Sequence, residues 1–185
     1  QSADYDEGVY WQSLRAMAAG HGLFTPVFSS QPPFFLLGLS PFYLLFGQTL
    51  AAARIGIALY SMLGIVGMYA IGRMLAGRWT GVAAAALLAF DPLYLNESHI
   101  LQAEAPSLGL EIVCIAFALA ARKSVGRTRL ALATASGIFL MLGVLTKLSD
   151  VVALLPALLY LIPWGESLRP RDVFLALRRA LPAPA

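Results

Sequence analysis

Between Ala51 and Gly72 the chain runs for 22 residues with a single charge, Arg54, near its start. A helix needs roughly 20 apolar residues to cross a hydrocarbon core of about 30 Å, so this run reads as a membrane span, closed by Arg73 and Arg78. Four further apolar runs follow: Trp79 to Leu95, interrupted late by Asp91-Pro92; Ala105 to Ala121, carrying Glu111 and Cys114; Leu130 to Thr146; and Val151 to Trp164, which is short. The composition agrees, with 59% hydrophobic and only 12% charged residues, where a soluble domain carries about 25% charge. A soluble globular enzyme and a disordered tail are both excluded. A net charge of +3 is too small to indicate a nucleic-acid partner. The lone Cys114 permits neither an intrachain disulfide nor a cysteine-based metal site.

The basic residues sort the loops by side. If the first span runs inward, the cytoplasmic loops hold Arg73, Arg78, Arg122, Lys123, Arg127, Arg129, Arg169, Arg171, Arg178 and Arg179, ten of the 13 basic residues. The other face receives Arg15, Arg54 and Lys147, both histidines, and the acids Asp4, Asp6, Glu7, Asp91, Glu97, Glu104 and Asp150. The stretch Phe34 to Phe46 is apolar but contains Pro41, and parity places it as a helix lying in or dipping into the interface. The expected organisation is an extracytoplasmic loop with interfacial helices over residues 1–50, a transmembrane region over 51–164 and a cytoplasmic segment over 165–185. A start at Gln1 and the Pro-Ala tail read as a piece of a longer protein.

The outward acids are the candidates for chemistry. Asp6-Glu7 stand at the head of an amphipathic helix bearing Tyr10 and Trp11. A carboxylate at a membrane surface is suited to deprotonate an acceptor hydroxyl, while the bland reading is a capping box of Asp4 with Glu7. Gln31-Pro32-Pro33 forbids helix before it and starts the interfacial helix. The loop from Asp91 to Pro106 contains acids and His99 but no Lys or Arg, and places Glu104 at a span entrance, where an ionisable group marks either a functional site or a helix cap. Arg54 and Lys147, at a span entrance and a span exit, are suited to stabilise a phosphate leaving group, or else to snorkel to headgroups. Glu111, inside its span, faces a neighbouring helix or a polar cavity rather than lipid.

Taken in order, Asp6-Glu7 with Tyr10, Gln31-Pro32-Pro33-Phe34, Leu45-Phe46-Gly47, Ala53-Arg54, Asp91-Pro92, Glu104-Ala105-Pro106 and Leu142-Gly143-Val144-Leu145-Thr146-Lys147 resemble the polytopic GT-C glycosyltransferases. The nearest branch is the bacterial one related to protein mannosyltransferases and the lipid A aminoarabinose transferase. The resemblance covers roughly residues 4 to 165 and implies inverting transfer of a sugar from a polyprenyl-phosphate donor to a protein, lipid or glycan acceptor. It implies that Asp6 is the catalytic aspartate of the first loop, with Glu7 beside it, that Glu104 is the second acid, and that Lys147 is similar to the lysine closing the family's G-x-x-x-L-T-K pattern, here Gly143-Val144-Leu145-Thr146-Lys147. Tyr10, Gln31, Arg54, Lys147 and His99 would then contact substrate. Gln31 stands where the family often has lysine, leaving the phosphate to Arg54 or Lys147. The family's earlier span and later parts lie outside this sequence, which corresponds to the front half of such an enzyme, inactive if isolated.

The expectation is therefore an all-α polytopic membrane helical bundle, with about five transmembrane helices plus interfacial helices, acting at the extracytoplasmic face of a bacterial inner membrane. No metal ligand set or cofactor is assigned, and a divalent metal is left open. Two rivals remain: a transporter with an ion path through Glu111, Glu104 and His99, and a non-catalytic membrane subunit.

Overall fold

A computed structural model describes residues 5–25 and 27–162. Among these residues the fold is all-α, as expected, and eight α-helices account for it: α1 (Tyr5–Ala18), α2 (Pro33–Leu45), α3 (Leu50–Ala76), α4 (Arg78–Ala89), α5 (Pro92–Glu97), α6 (Glu104–Arg122), α7 (Gly126–Thr146) and α8 (Leu154–Leu161), with a 3-10 turn over Leu148–Ala153 before α8. Three of them, α3, α6 and α7, are long and apolar enough to cross a membrane.

The other two expected spans are shorter than the sequence pattern suggested. Asp91 ends the first of them by starting a new helix, its Oδ1 accepting the Tyr94 N–H at 2.8 Å with Pro92 in the first turn. Proline at that position has no N–H to satisfy and a backbone angle already set for helix, so α4 stops at Ala89 and α5 begins at Pro92. The last run is divided because, after the extended Lys147 (φ −150°, ψ 125°), the chain tightens into a 3-10 turn that takes in Val151–Ala153 before α8 begins at Leu154. The segment assigned to the cytoplasm, 165–185, lies outside the described residues.

The helices alternate between two ends of the bundle. Thr49 opens α3, its hydroxyl accepting the Ala52 N–H at 3.1 Å, and Gly77 at φ +96° reverses the chain into α4. The α3–α4 reversal packs backbone on backbone, because a Cβ on Gly72 would stand 2.8 Å from the Gly81 Cα. Glycine is also what lets α6 approach α3, since a Cβ on Gly109 would lie 2.6 Å from the Tyr60 carbonyl oxygen. Small residues at such crossings are how apolar helices gain dispersion contacts when no hydrophobic force separates protein from lipid.

At one end Lys123, past α6, donates to the Met74 carbonyl at the end of α3, and Arg129 at the start of α7 donates to the Leu161 carbonyl at 3.1 Å. That end therefore gathers the basic loops. At the other end α1 and α2 fold over the start of α3 and the loop before α6. Tyr10 and Leu14 pack there with Phe35, Leu36, Leu39 and Tyr43, and with Ala53, Ile57 and Leu101. Outward positions such as Met62, Val66, Leu87, Ile138 and Met141 are exposed and apolar, surface that needs lipid or protein against it.

Candidate functional site

The acidic end is built around Glu7. Its side chain is 1% exposed and satisfied by three donors: Arg54 Nε at 2.8 Å to Oε1, Arg54 Nη2 at 2.6 Å to Oε2, and the Leu101 N–H at 3.0 Å to Oε1. A forked guanidinium on a carboxylate fixes geometry as well as charge. These bonds, led by the Arg54 hydrogen bond and opposed by desolvation, hold the Glu7 carboxyl below its ordinary value. One side chain thereby joins α1, α3 and the loop that leads three residues later into Glu104. Asp6, its neighbour on the first turn of α1, is exposed.

Glu104 begins α6 and accepts from Lys147 Nζ at 2.7 Å, joining the start of α6 to the end of α7. The two acidic segments and the two cations singled out from the sequence thus lie at one end, each cation paired with an acid: Arg54 with Glu7, Lys147 with Glu104. Tyr10 and Gln31 are brought together as well. The buried Tyr10 ring stands edge-on to Phe35, centroids 4.9 Å apart, and its hydroxyl meets Ser30 Oγ at 3.0 Å and Gln31 Nε2 at 3.3 Å. This pins the diproline turn to α1. His99 is exposed, with Nδ1 donating to the Leu95 carbonyl at 2.5 Å.

Beside Glu104 a cavity of about 380 Å³ opens between the end of α4, α5 and the start of α6; its walls are mainly apolar, from Leu88, Leu93, Ala105 and Leu108, with Asp91, Glu97 and Glu104 also along it. Glu97 Oε1 accepts from Asn96 Nδ2 at 3.3 Å, while Oε2 is buried and has no hydrogen-bond partner. Carboxylates with free lone pairs accept hydrogen bonds from hydroxyl groups and repel phosphate. Tyr94 also lines the cavity; its hydroxyl donates to the Ser61 carbonyl at 2.6 Å, and burial pushes its pKa up to about 12. Among the described residues no three His, Cys, Asp or Glu side chains converge as a metal-binding group.

Sequence reasoning counted Asp150 among the outward acids without giving it a role, and passed over Ser107 and Tyr94. Ser107 and Glu111 follow Glu104 at three and seven residues, the spacing of one helix face, and Asp150 packs against that face from the 3-10 turn. Asp150 is 5% exposed, and its Oδ2 has no hydrogen-bond partner. Its pKa is pushed up to about 6, by burial first and by the Glu111 charge second, against smaller opposing effects from Ser107 and the Lys147 charge.

The sequence profile of the dolichyl-phosphate-mannose-protein mannosyltransferase family matches residues 30–182. The chain belongs to that family. It is accordingly a membrane protein of a glycosyltransferase family, in agreement with its three long apolar helices. No curated protein and no solved structure matches the chain. The family match takes in the diproline turn, Arg54, the Asp91–Pro106 loop and Lys147, and it begins after α1, so Asp6 and Glu7 come to the site through the Glu7 contacts rather than through the matched stretch.

Proposed function

We propose that this mannosyltransferase-family protein transfers a sugar from a polyprenyl-phosphate donor to an acceptor hydroxyl at its acidic end, with inversion. The acceptor oxygen attacks the anomeric carbon while its proton passes to Asp6. The bond from that carbon to the phosphate oxygen breaks, and the electron pair leaves with the lipid phosphate. Lys147 and Arg54 are the cations at hand for the departing charge, with His99 and Gln31 at the rim. The cavity beside Glu104, mainly apolar with three acidic residues along it, suits an uncharged partner better than the phosphate.

The observation that carries this reading is the Glu7 clasp. One buried carboxylate draws the first turn of α1, the Arg54 guanidinium and the loop before Glu104 to a single place. With three donors on it, Glu7 is suited to hold that arrangement, and the exposed Asp6 to exchange a proton. We place the acidic end on the extracytoplasmic side of a bacterial plasma membrane, following the distribution of basic loops.

The test is Asp6→Asn in the complete protein, assayed for transfer from radiolabelled polyprenyl-phosphate mannose in membranes. General-base assistance typically contributes about 100-fold or more, so transfer should fall by at least that factor with unchanged membrane expression. Full retained activity would overturn the assignment of Asp6.

A further inference from the structure

The polar face of α6 does not end at Glu104. Below the Lys147–Glu104 pair it continues through Ser107 and Glu111 to Cys114, whose sulfur lies 3.4 Å from Ser136 Oγ on α7. Asp150 is set into this face from the 3-10 turn. It occupies a notch that only glycine leaves open: a Cβ on Gly143 of α7 would stand 3.0 Å from Asp150 Oδ2. Its backbone N–H donates to the Lys147 carbonyl at 3.1 Å, so the acid and the lysine belong to one tight turn. Oδ2 is buried without a hydrogen-bond partner although an ammonium group stands three residues earlier in the chain.

We propose that Asp150 is a positioning residue for Lys147: as a neutral acid it leaves the ammonium on Glu104 at the mouth of the site, and as a carboxylate it draws the ammonium inward. A buried carboxylate needs a compensating charge, and the elements packed on Asp150 supply one cation. From α6 come Glu111 and the Ser107 hydroxyl, from the end of α7 comes Lys147, and Ser149 stands in the turn itself. The Ser107 and Ser149 hydroxyls also favour the ionised form, but Lys147 is the one cation among these groups that can move toward it, and Glu111 is the group that opposes ionisation. Burial and the Glu111 charge push the Asp150 pKa up to about 6, so its charge changes under mild conditions. The bond from Lys147 to Glu104 corresponds to the outward arrangement.

The consequence for catalysis rests on the reading that Lys147 meets the donor phosphate; the exchange itself does not. The sequence holds two lysines, Lys147 and Lys123, and Lys123 lies at the opposite end of the bundle, which gives an internal reference. The complete protein in lipid nanodiscs is labelled briefly with an acylating amine reagent between pH 5 and 8, and the ratio of label on Lys147 to label on Lys123 is read by mass spectrometry. An ammonium drawn onto a buried carboxylate holds its proton more tightly, so in the wild type the ratio should fall several-fold in a step near pH 6. Asp150→Asn should abolish the step. Glu111→Gln, which removes a like charge, should move it to lower pH and serves also if the asparagine variant fails to fold. A ratio without a step in the wild type, or a step unchanged in both variants, overturns the proposal. Lipid-linked sugar transfer measured alongside separates the two ideas: a step without transfer activity leaves the positioning of Lys147 standing and counts against the enzymatic reading.

Discussion

At the scale of single residues the chain's charges act in pairs. Glu7 is almost fully buried while Arg54 keeps a 30% exposed side chain, so removing the arginine strands a carboxylate in a water-poor site. Losing one partner of a buried pair costs about 3–5 kcal/mol, and Arg54→Ala should fall near the lower end because water reaches that side. Arg54→Met combined with Glu7→Gln should cost less than Arg54→Ala by itself, as thermal unfolding in detergent would register. The same bond predicts a pH dependence. The folded pKa of Glu7 is held below the ordinary 4.5, so its contribution is complete above that value and is lost as pH falls through the folded pKa. Melting temperature should decline on acidification below about pH 4.5 in the wild type, and Glu7→Gln should remove that part of the decline. Much of this was legible in the sequence, which singled out Glu7, Arg54, Glu104 and Lys147 as rare charges in an apolar chain. The pairing was not legible, because Glu7 and Arg54 are joined through folding of α1 over α3 and not through any local pattern.

Among elements, the long apolar runs declared themselves because lipid demands length and continuity, and α3, α6 and α7 follow directly. The interrupted runs were harder to read. Asp91-Pro92 was visible as an irregularity, yet hydropathy averages over it, whereas the backbone responds to one capped N–H and one proline ring. Helix contacts were also hidden, since glycines are common here (16 in the chain) and nothing in the sequence tells those at helix crossings from those in open space, such as Gly8 and Gly137. Gly109 is one at a crossing. Its would-be Cβ meets the Tyr60 carbonyl, part of a helix backbone that has no room to yield. Gly109→Ala should therefore separate α6 from α3 and cost about 2 kcal/mol or more, whereas Gly137→Ala, on an open part of α7, should leave the melting temperature unchanged or slightly raise it. A comparable loss at both positions would mean that the α3–α6 approach is not set by Gly109. Tyr94 makes a finer probe of the same region: its hydroxyl bonds the Ser61 carbonyl across α5 and α3, and Tyr94→Phe should cost about 1 kcal/mol while leaving the cavity walls in place.

For the molecule as a whole, the alternation of ends converts a list of loops into two chemically different faces. The basic loops meet through Lys123 and Arg129, and the acidic segments meet through Glu7 and Glu104. A bundle with this charge asymmetry has a preferred orientation in a membrane, because basic loops are retained on the cytoplasmic side. Two exposed positions report it: Asn96 on α5 at the acidic end and Val125, 85% exposed, in the loop between α6 and α7. The native Cys114 is buried and silent toward a bulky polar reagent. In intact cells expressing the complete protein, a membrane-impermeant maleimide should modify Asn96→Cys and spare Val125→Cys, and permeabilised cells should allow both. The reverse pattern would invert the bundle and put the acidic end in the cytoplasm, against the proposed extracytoplasmic transfer. Labelling of both positions in intact cells would mean that α6 does not separate its two ends across a membrane, and the division into an acidic face and a basic face would fail with it.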